Sequence, residues 1–332
     1  MKKILFTSKK IWIAGLFIGI VLVISCNNKN SNFASNNKDS IEHLWRGWNM
    51  YQIPEKDTLV RYGQQLLSNT SYFLGPKGTV LHMSNGMNCQ NCHLNAGTVP
   101  WGNNYSAVYS TYPKMRSRSG TVETIPKRIN DCFQRSLNGD PLDSNGKEMR
   151  SIIAYMKWLG EGIEKGKSPK GSGIMAIPFL DRAADPEIGK KVFVTKCQRC
   201  HGADGQGQFN VDGTEYTYPP LWGEHSYTTA AGLFRLSRFA GYVKNNMPFG
   251  EVEYHNPQLT DEEAWDVAAF VNSQPRPNKV FKEDWPDISK KPFDHPFGPY
   301  IDNFSEDQHK FGPFAPIKKF QDENSKKMQA SK

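Results

Sequence analysis

The chain has 332 residues, 41 lysines and arginines against 33 acids, and 38% hydrophobic residues. That length accommodates two domains of about 100 residues plus extensions. Four of the cations (Lys2, Lys3, Lys9 and Lys10) precede an apolar run, so the +8 total leaves about +4 for the rest. This surplus, with no nucleic-acid motif beside it, argues against nucleic-acid binding and suits a small anionic substrate or an acidic redox partner.

Residues 11–25 are almost wholly apolar. Fifteen helical residues rise only about 22 Å, short of the roughly 30 Å hydrocarbon core, so a cleaved export signal is expected over 1–25 rather than a permanent span. The run ends Val23-Ile24-Ser25-Cys26, which resembles a lipoprotein signal, with Cys26 as the lipidated residue and a periplasm-facing membrane anchor as the outcome. Residues 26–40, rich in Asn, Ser and Lys, read as a flexible tether.

A helix is expected over 57–67, ahead of Cys89-Gln-Asn-Cys92-His93. After a long loop over 94–124 come two further helices, over 125–137 and 146–163, completing a first domain at 41–164. The Gly-, Ser- and Lys-rich segment within 165–180 reads as a linker. A second domain at 181–275 starts with Asp185 capping a helix that has Pro186 at its first position. That helix runs into Cys197-Gln-Arg-Cys200-His201. The domain closes with a helix that Thr260 and Glu263 cap reciprocally. From 276 to 332 the chain shows little periodicity and reads as an extended tail packed over both domains, with its last dozen residues disordered.

Each Cys-x-x-Cys-His motif is the attachment signature of a c-type haem: the thiols form thioethers and the histidine is the proximal iron ligand. Two such motifs, 108 residues apart, therefore imply two covalently bound haems, attached outside the cytoplasm. A zinc site or a thioredoxin-like pair would not require both trailing histidines. The helix–motif–loop–helix order resembles class I cytochrome c, so the fold expected is mainly α, two tandem cytochrome c-like domains with long loops and an extended C-terminal tail. In the second domain Met247, followed by Pro248 and lying before the closing helix, is the expected distal ligand; His225 and His255 are the alternatives. Thioether ligation raises a haem's potential and suits an electron exit.

No methionine occupies the corresponding place in the first domain. Of six cysteines, Cys132 alone has no covalent role, and it follows His93 by 39 residues on an expected helix. Thiolate ligation by Cys132 would stabilise ferric iron; His82, Met83, Met87 and Met115 are its rivals. Arg128 and Ser136 lie four residues to either side of Cys132, on one helix face. Together with Arg118 and Arg135 they suggest an oxyanion pocket, because guanidinium forks match such groups.

The segment 118–142, both haem motifs, Met247 and the tail segment 299–314 resemble dihaem thiosulfate dehydrogenase. The resemblance covers roughly residues 45 to 318. It implies oxidation of two thiosulfates to tetrathionate at a His/Cys-ligated haem, with electrons passed through a His/Met haem to an external acceptor such as a small cytochrome. Some members run the reaction in reverse. It further implies Cys132 as axial thiolate and possible carrier of a sulfur adduct, and Arg118, Arg128 and Ser136 as sulfonate-binding residues. Some relatives place a lysine ligand just before the methionine; here Asn246 stands there, so stable His201/Met247 ligation is expected. The competing functions are a membrane-tethered electron carrier without catalysis and a dihaem peroxidase.

Overall fold

The computed structural model describes residues 52–330. The export signal, Cys26 and the tether lie outside the described residues. The first domain contains α1 (Thr58–Ser68), α2 (Ile125–Arg135) and α3 (Lys147–Gly160). The second contains α4 (Pro186–Val192), α5 (Leu236–Asn246) and α6 (Asp261–Ser273). Two more helices, α7 (Glu306–Phe311) and α8 (Phe314–Ala330), belong to the tail.

The two domains use the same helix crossing. Gly63 on α1 lies so close to α3 that a Cβ there would stand 2.0 Å from the Ser151 carbonyl oxygen, and at Gly189 on α4 it would stand 1.8 Å from that of Asp266 on α6. Only glycine permits such backbone approach. Around the first crossing are Leu66, Leu67, Met149, Ile152, Tyr155 and Leu159; around the second are Val192, Phe193, Trp265, Val267 and Val271.

The caps explain where these helices begin. Asp185 accepts hydrogen bonds from the amides of Glu187 (2.8 Å) and Ile188 (3.3 Å), and Thr260 and Glu263 form a capping box. Beyond α4 the backbone loosens into a π turn, Phe193–Cys197, which delivers the second Cys-x-x-Cys-His segment.

The long loop over 94–124 carries a hairpin of β1 (Lys114–Arg116) and β2 (Thr121–Glu123), with Arg118 in its turn. A second hairpin pairs β3 (Gln208–Phe209) with β4 (Tyr216–Tyr218). The glycine-rich segment between the domains is tied down, although its composition reads as a linker. The Gly171 carbonyl accepts from the Trp101 amide and from Asn104 Nδ2, each at 2.7 Å, and the Gly173 carbonyl accepts from the Asn103 amide at 2.9 Å. These carbonyls satisfy donors of the loop that follows His93, so the segment completes that loop.

The domains are also joined directly. Leu94, next to His93, lies in the hydrophobic core of the second domain. Tyr242 on α5 donates to the Asn91 carbonyl (2.8 Å), Asn246 donates to that of Trp101 (3.3 Å), and Thr228 Oγ1 donates to that of Arg135 (2.6 Å). The tail then crosses both domains. Asp284 grips Arg135 bidentately at 2.6 and 2.7 Å, whereas Asp294 is buried against Arg235 and Ser237. The tail ends in α8, where Phe314 and Ile317 enter the second core. Its end is thus helical through residue 330, not disordered, because burying this short apolar face suffices to order an otherwise polar helix.

Candidate functional site

One cavity of the first domain brings together Cys89, Cys92, His93, Arg128, Cys132 and Ser136. A three-residue 3₁₀ turn, Cys89–Asn91, places the two thiols, and Asn88 and Asn91 cap it reciprocally. His93 Nδ1 donates to the Asn103 carbonyl at 2.5 Å, and the ring stacks on Tyr105 with centroids 4.6 Å apart. Its Nδ1 proton committed in this way, the histidine has Nε2 free for a metal. Burial pushes the Cys89 and Cys92 thiols up to about 12 and drives His93 down to about 4, so all three are neutral. Two neutral buried thiols beside an oriented imidazole fit covalent haem attachment.

The second motif repeats this arrangement. His201 Nδ1 donates to the Pro219 carbonyl at 2.8 Å, and burial lowers the histidine's pKa. Cys197 and Met247 both pack against the second core, and Met247 stands at the C-terminal end of α5. His225 and His255 are both exposed, the latter beside Glu253. Arg276 adds a further fit: its Nε and Nη1 are buried without hydrogen-bond partners among the described residues, which suits the carboxylates that every haem carries.

On the other side of the first cavity, α2 presents Cys132 with Arg128 one turn before it. Arg128 Nη1 lies 3.3 Å from Cys132 Sγ. The neighbouring sulfur raises the arginine's pKa further and outweighs the cost of burial, so the guanidinium stays charged. Ser136 closes the same helix and lines the cavity. Of the rival ligands, Met115 is 64% exposed and His82 lies at the surface, whereas Met87 does line the cavity.

The remaining two arginines sit elsewhere. Arg135 is buried, paired with Asp284, and stacked on Phe281 at 3.7 Å; it joins the tail to the domain and lines no anion pocket. Arg118 lies outside the first cavity. It donates to the Ala230 carbonyl (3.3 Å), rests over Trp285, and faces a second cavity formed with the tail. The partners of the two motif histidines, the carbonyls of Asn103 and Pro219, were not foreseeable, because a carbonyl acceptor leaves no side-chain signature.

Comparisons with known proteins agree with this geometry. Residues 81–164 match the SoxA/TsdA cytochrome c domain family and residues 186–275 match the cytochrome c family. The mainly helical two-domain fold thus consists of two cytochrome c domains, and the chain holds two c-type haems. The thiosulfate dehydrogenase of Psychrobacter arcticus is 40% identical over 71% of this chain and 71% of its own. That of Allochromatium vinosum is 38% identical over 68% of this chain and 80% of its own. The solved thiosulfate dehydrogenase TsdBA from Marichromatium purpuratum superposes with a TM-score of 0.63 at 31% identity. That match covers 70% of this chain and half of TsdBA. With both haem motifs, their oriented histidines and relatives of this identity and coverage, the chain belongs to the dihaem thiosulfate dehydrogenase family.

Proposed function

We propose that this protein oxidises two thiosulfates to one tetrathionate in the cavity that holds Cys132, releasing two electrons. The single observation that carries this reading is the Arg128–Cys132 contact of 3.3 Å inside the cavity of Cys89, Cys92 and His93. An electron carrier needs no charged guanidinium buried there. When bound, the haems supply one-electron acceptors, through which a two-electron coupling reaches a one-electron partner. His93 and Cys132 would hold the first iron, and His201 and Met247 the second. Arg128 and Ser136 orient a sulfonate group, with Arg118 approaching from the tail side. The two guanidinium groups offset the repulsion between two dianions, and charges already fixed in place do so without reorganising. Cys132 would carry a sulfur adduct: its thiolate and the outer sulfur of the first thiosulfate form a sulfur–sulfur bond with loss of two electrons to the bound haems, and the second thiosulfate attacks that adduct, forming tetrathionate and releasing the thiolate.

The electrons leave through the second domain to an external redox protein, and the same site can serve tetrathionate reduction. Because c-type haems are attached outside the cytoplasm, the protein acts there, held by lipid on Cys26. Among the described residues no helix is long and apolar enough to cross a membrane.

The decisive assay is thiosulfate-dependent ferricyanide reduction by the haem-loaded protein, with tetrathionate quantified. Two thiosulfates consumed per tetrathionate is the expected result. Cys132→Ala is expected to retain both haems and lose most activity. An intact, reducible protein without turnover in either direction would instead identify an electron carrier.

A further inference from the structure

A second cavity, of about 420 Å³, opens where both domains meet the tail. Its walls come from Arg118, from residues 229–235 and from tail residues 279–299, and it shares no lining residue with the cavity of Cys132. Five lysines and arginines line it against one acid, Asp284. Arg235 is neutralised by Asp294, and Asp284 is already engaged by Arg135. Arg118, Lys279, Lys282 and Lys291 therefore form no ion pair among the described residues.

Lys291 makes the imbalance plain. It is 7% exposed, and its ammonium donates to the carbonyls of Phe297 (2.8 Å) and Pro299 (3.1 Å) and lies 5.5 Å over the Tyr300 ring, with no carboxylate in contact among the described residues. Burying a cation without a counter-charge is costly unless an anion joins it. Its neighbours feel the same field. Burial and the nearby Arg135 bring Arg118 down to about 10, and burial with Lys291 brings His295 down to about 4.

We propose that this tail cavity binds a dianionic sulfur oxyanion, of the class that the catalytic cavity consumes, and holds it beside Arg118. The inference rests on the function proposed above and extends it. The coupling needs two dianions in succession, and Arg118, which faces the tail cavity from the hairpin of the first domain, feels the charge of Arg128 in the catalytic cavity. A second anion held there is close at hand when the first has reacted. Lys279, Lys282 and Lys291 then act on substrate capture and take no part in the chemical step.

The test uses the oxidised, haem-loaded full chain and two readouts. Calorimetric titration with tetrathionate, which does not turn over without a reductant, reads binding directly. The double variant Lys279→Gln/Lys282→Gln, at half-buried and exposed positions, is expected to weaken that binding about tenfold. Its KM for thiosulfate rises by a similar factor at unchanged kcat, whereas Cys132→Ala retains the binding. Lys291→Gln should behave alike, and if it fails to fold the double variant decides. Unchanged titration and unchanged KM in the double variant would overturn the proposal. Sulfate binding as tightly as tetrathionate would overturn the assignment to sulfur-chain oxyanions. A wild-type protein that binds tetrathionate with this lysine dependence yet never turns over would refute the catalytic function and leave the anion cavity standing.

Discussion

Cys132 and Arg128 make a unit whose two halves do different work. In the function proposed here the sulfur would supply a ligand and a nucleophile, while the guanidinium 3.3 Å away supplies fixed positive charge. A hydrogen bond involving a charged group contributes about 1.5–3 kcal/mol, so Arg128→Ala should lower kcat/KM for thiosulfate roughly tenfold to a hundredfold. Arg128→Lys should recover little of this, since a point charge cannot reproduce the planar fork. Steady-state kinetics on both variants check it, and full recovery by lysine would mean that charge alone matters. The placement of Arg128, Cys132 and Ser136 was legible from the sequence, because residues four apart on a helix share a face. The role of Arg135 was not legible. It lies just three positions from Cys132, yet its partner Asp284 is 149 residues away, and no local pattern announces such a pairing.

Among the elements, the paired helix crossings anchor the two hydrophobic cores. At Gly63 and Gly189 the obstructing atoms are backbone carbonyls, which cannot swing aside as a side chain would. Overpacking of this kind costs about 1–3 kcal/mol or more. Gly63→Ala and Gly189→Ala should each destabilise by about 3 kcal/mol, read as a lowered denaturation midpoint. A loss below about 0.5 kcal/mol would mean that the helices separate easily. The ends of α4 and α6 were legible through Asp185 and the Thr260/Glu263 pair, since caps are chemistry local to the chain. The hairpin of β1 and β2 was read as loop, because three-residue strands are too short to show alternation. The helix α8 was missed because only Phe314 and Ile317 of its 17 residues are buried, too few for a visible stripe.

At the scale of the whole molecule, the tail's hold on the second domain centres on Asp294. Burial raises its pKa, but Arg235 and the Ser237 hydrogen bonds outweigh this and set it below the ordinary 3.8. A carboxylate depressed on folding contributes stability that is complete above its unfolded pKa and is lost as pH falls through the folded value. Tail docking should therefore be unchanged from neutral pH down to about 4 and weaken below it. Asp294→Asn leaves Arg235 uncompensated, which should cost about 3 kcal/mol at neutral pH and remove the acid dependence. Limited proteolysis of the tail against pH reads both effects. Cleavage with the same pH profile in Asp294→Asn would assign the transition to another group.

The tail's grip on the first domain also orders events in time. Asp284 and Trp285 bond to Arg135 and Arg118, yet they lie beyond the entire second domain in the chain. A polypeptide emerging amino end first thus displays Cys89 and Cys92 long before the strap that holds Arg118 and Arg135 arrives. The closing helix of each domain comes sooner: α3 begins 54 residues after His93 and α6 sixty after His201. Biogenesis consequently completes each motif's own helices first, and the last stretch to be made ties the two finished domains together.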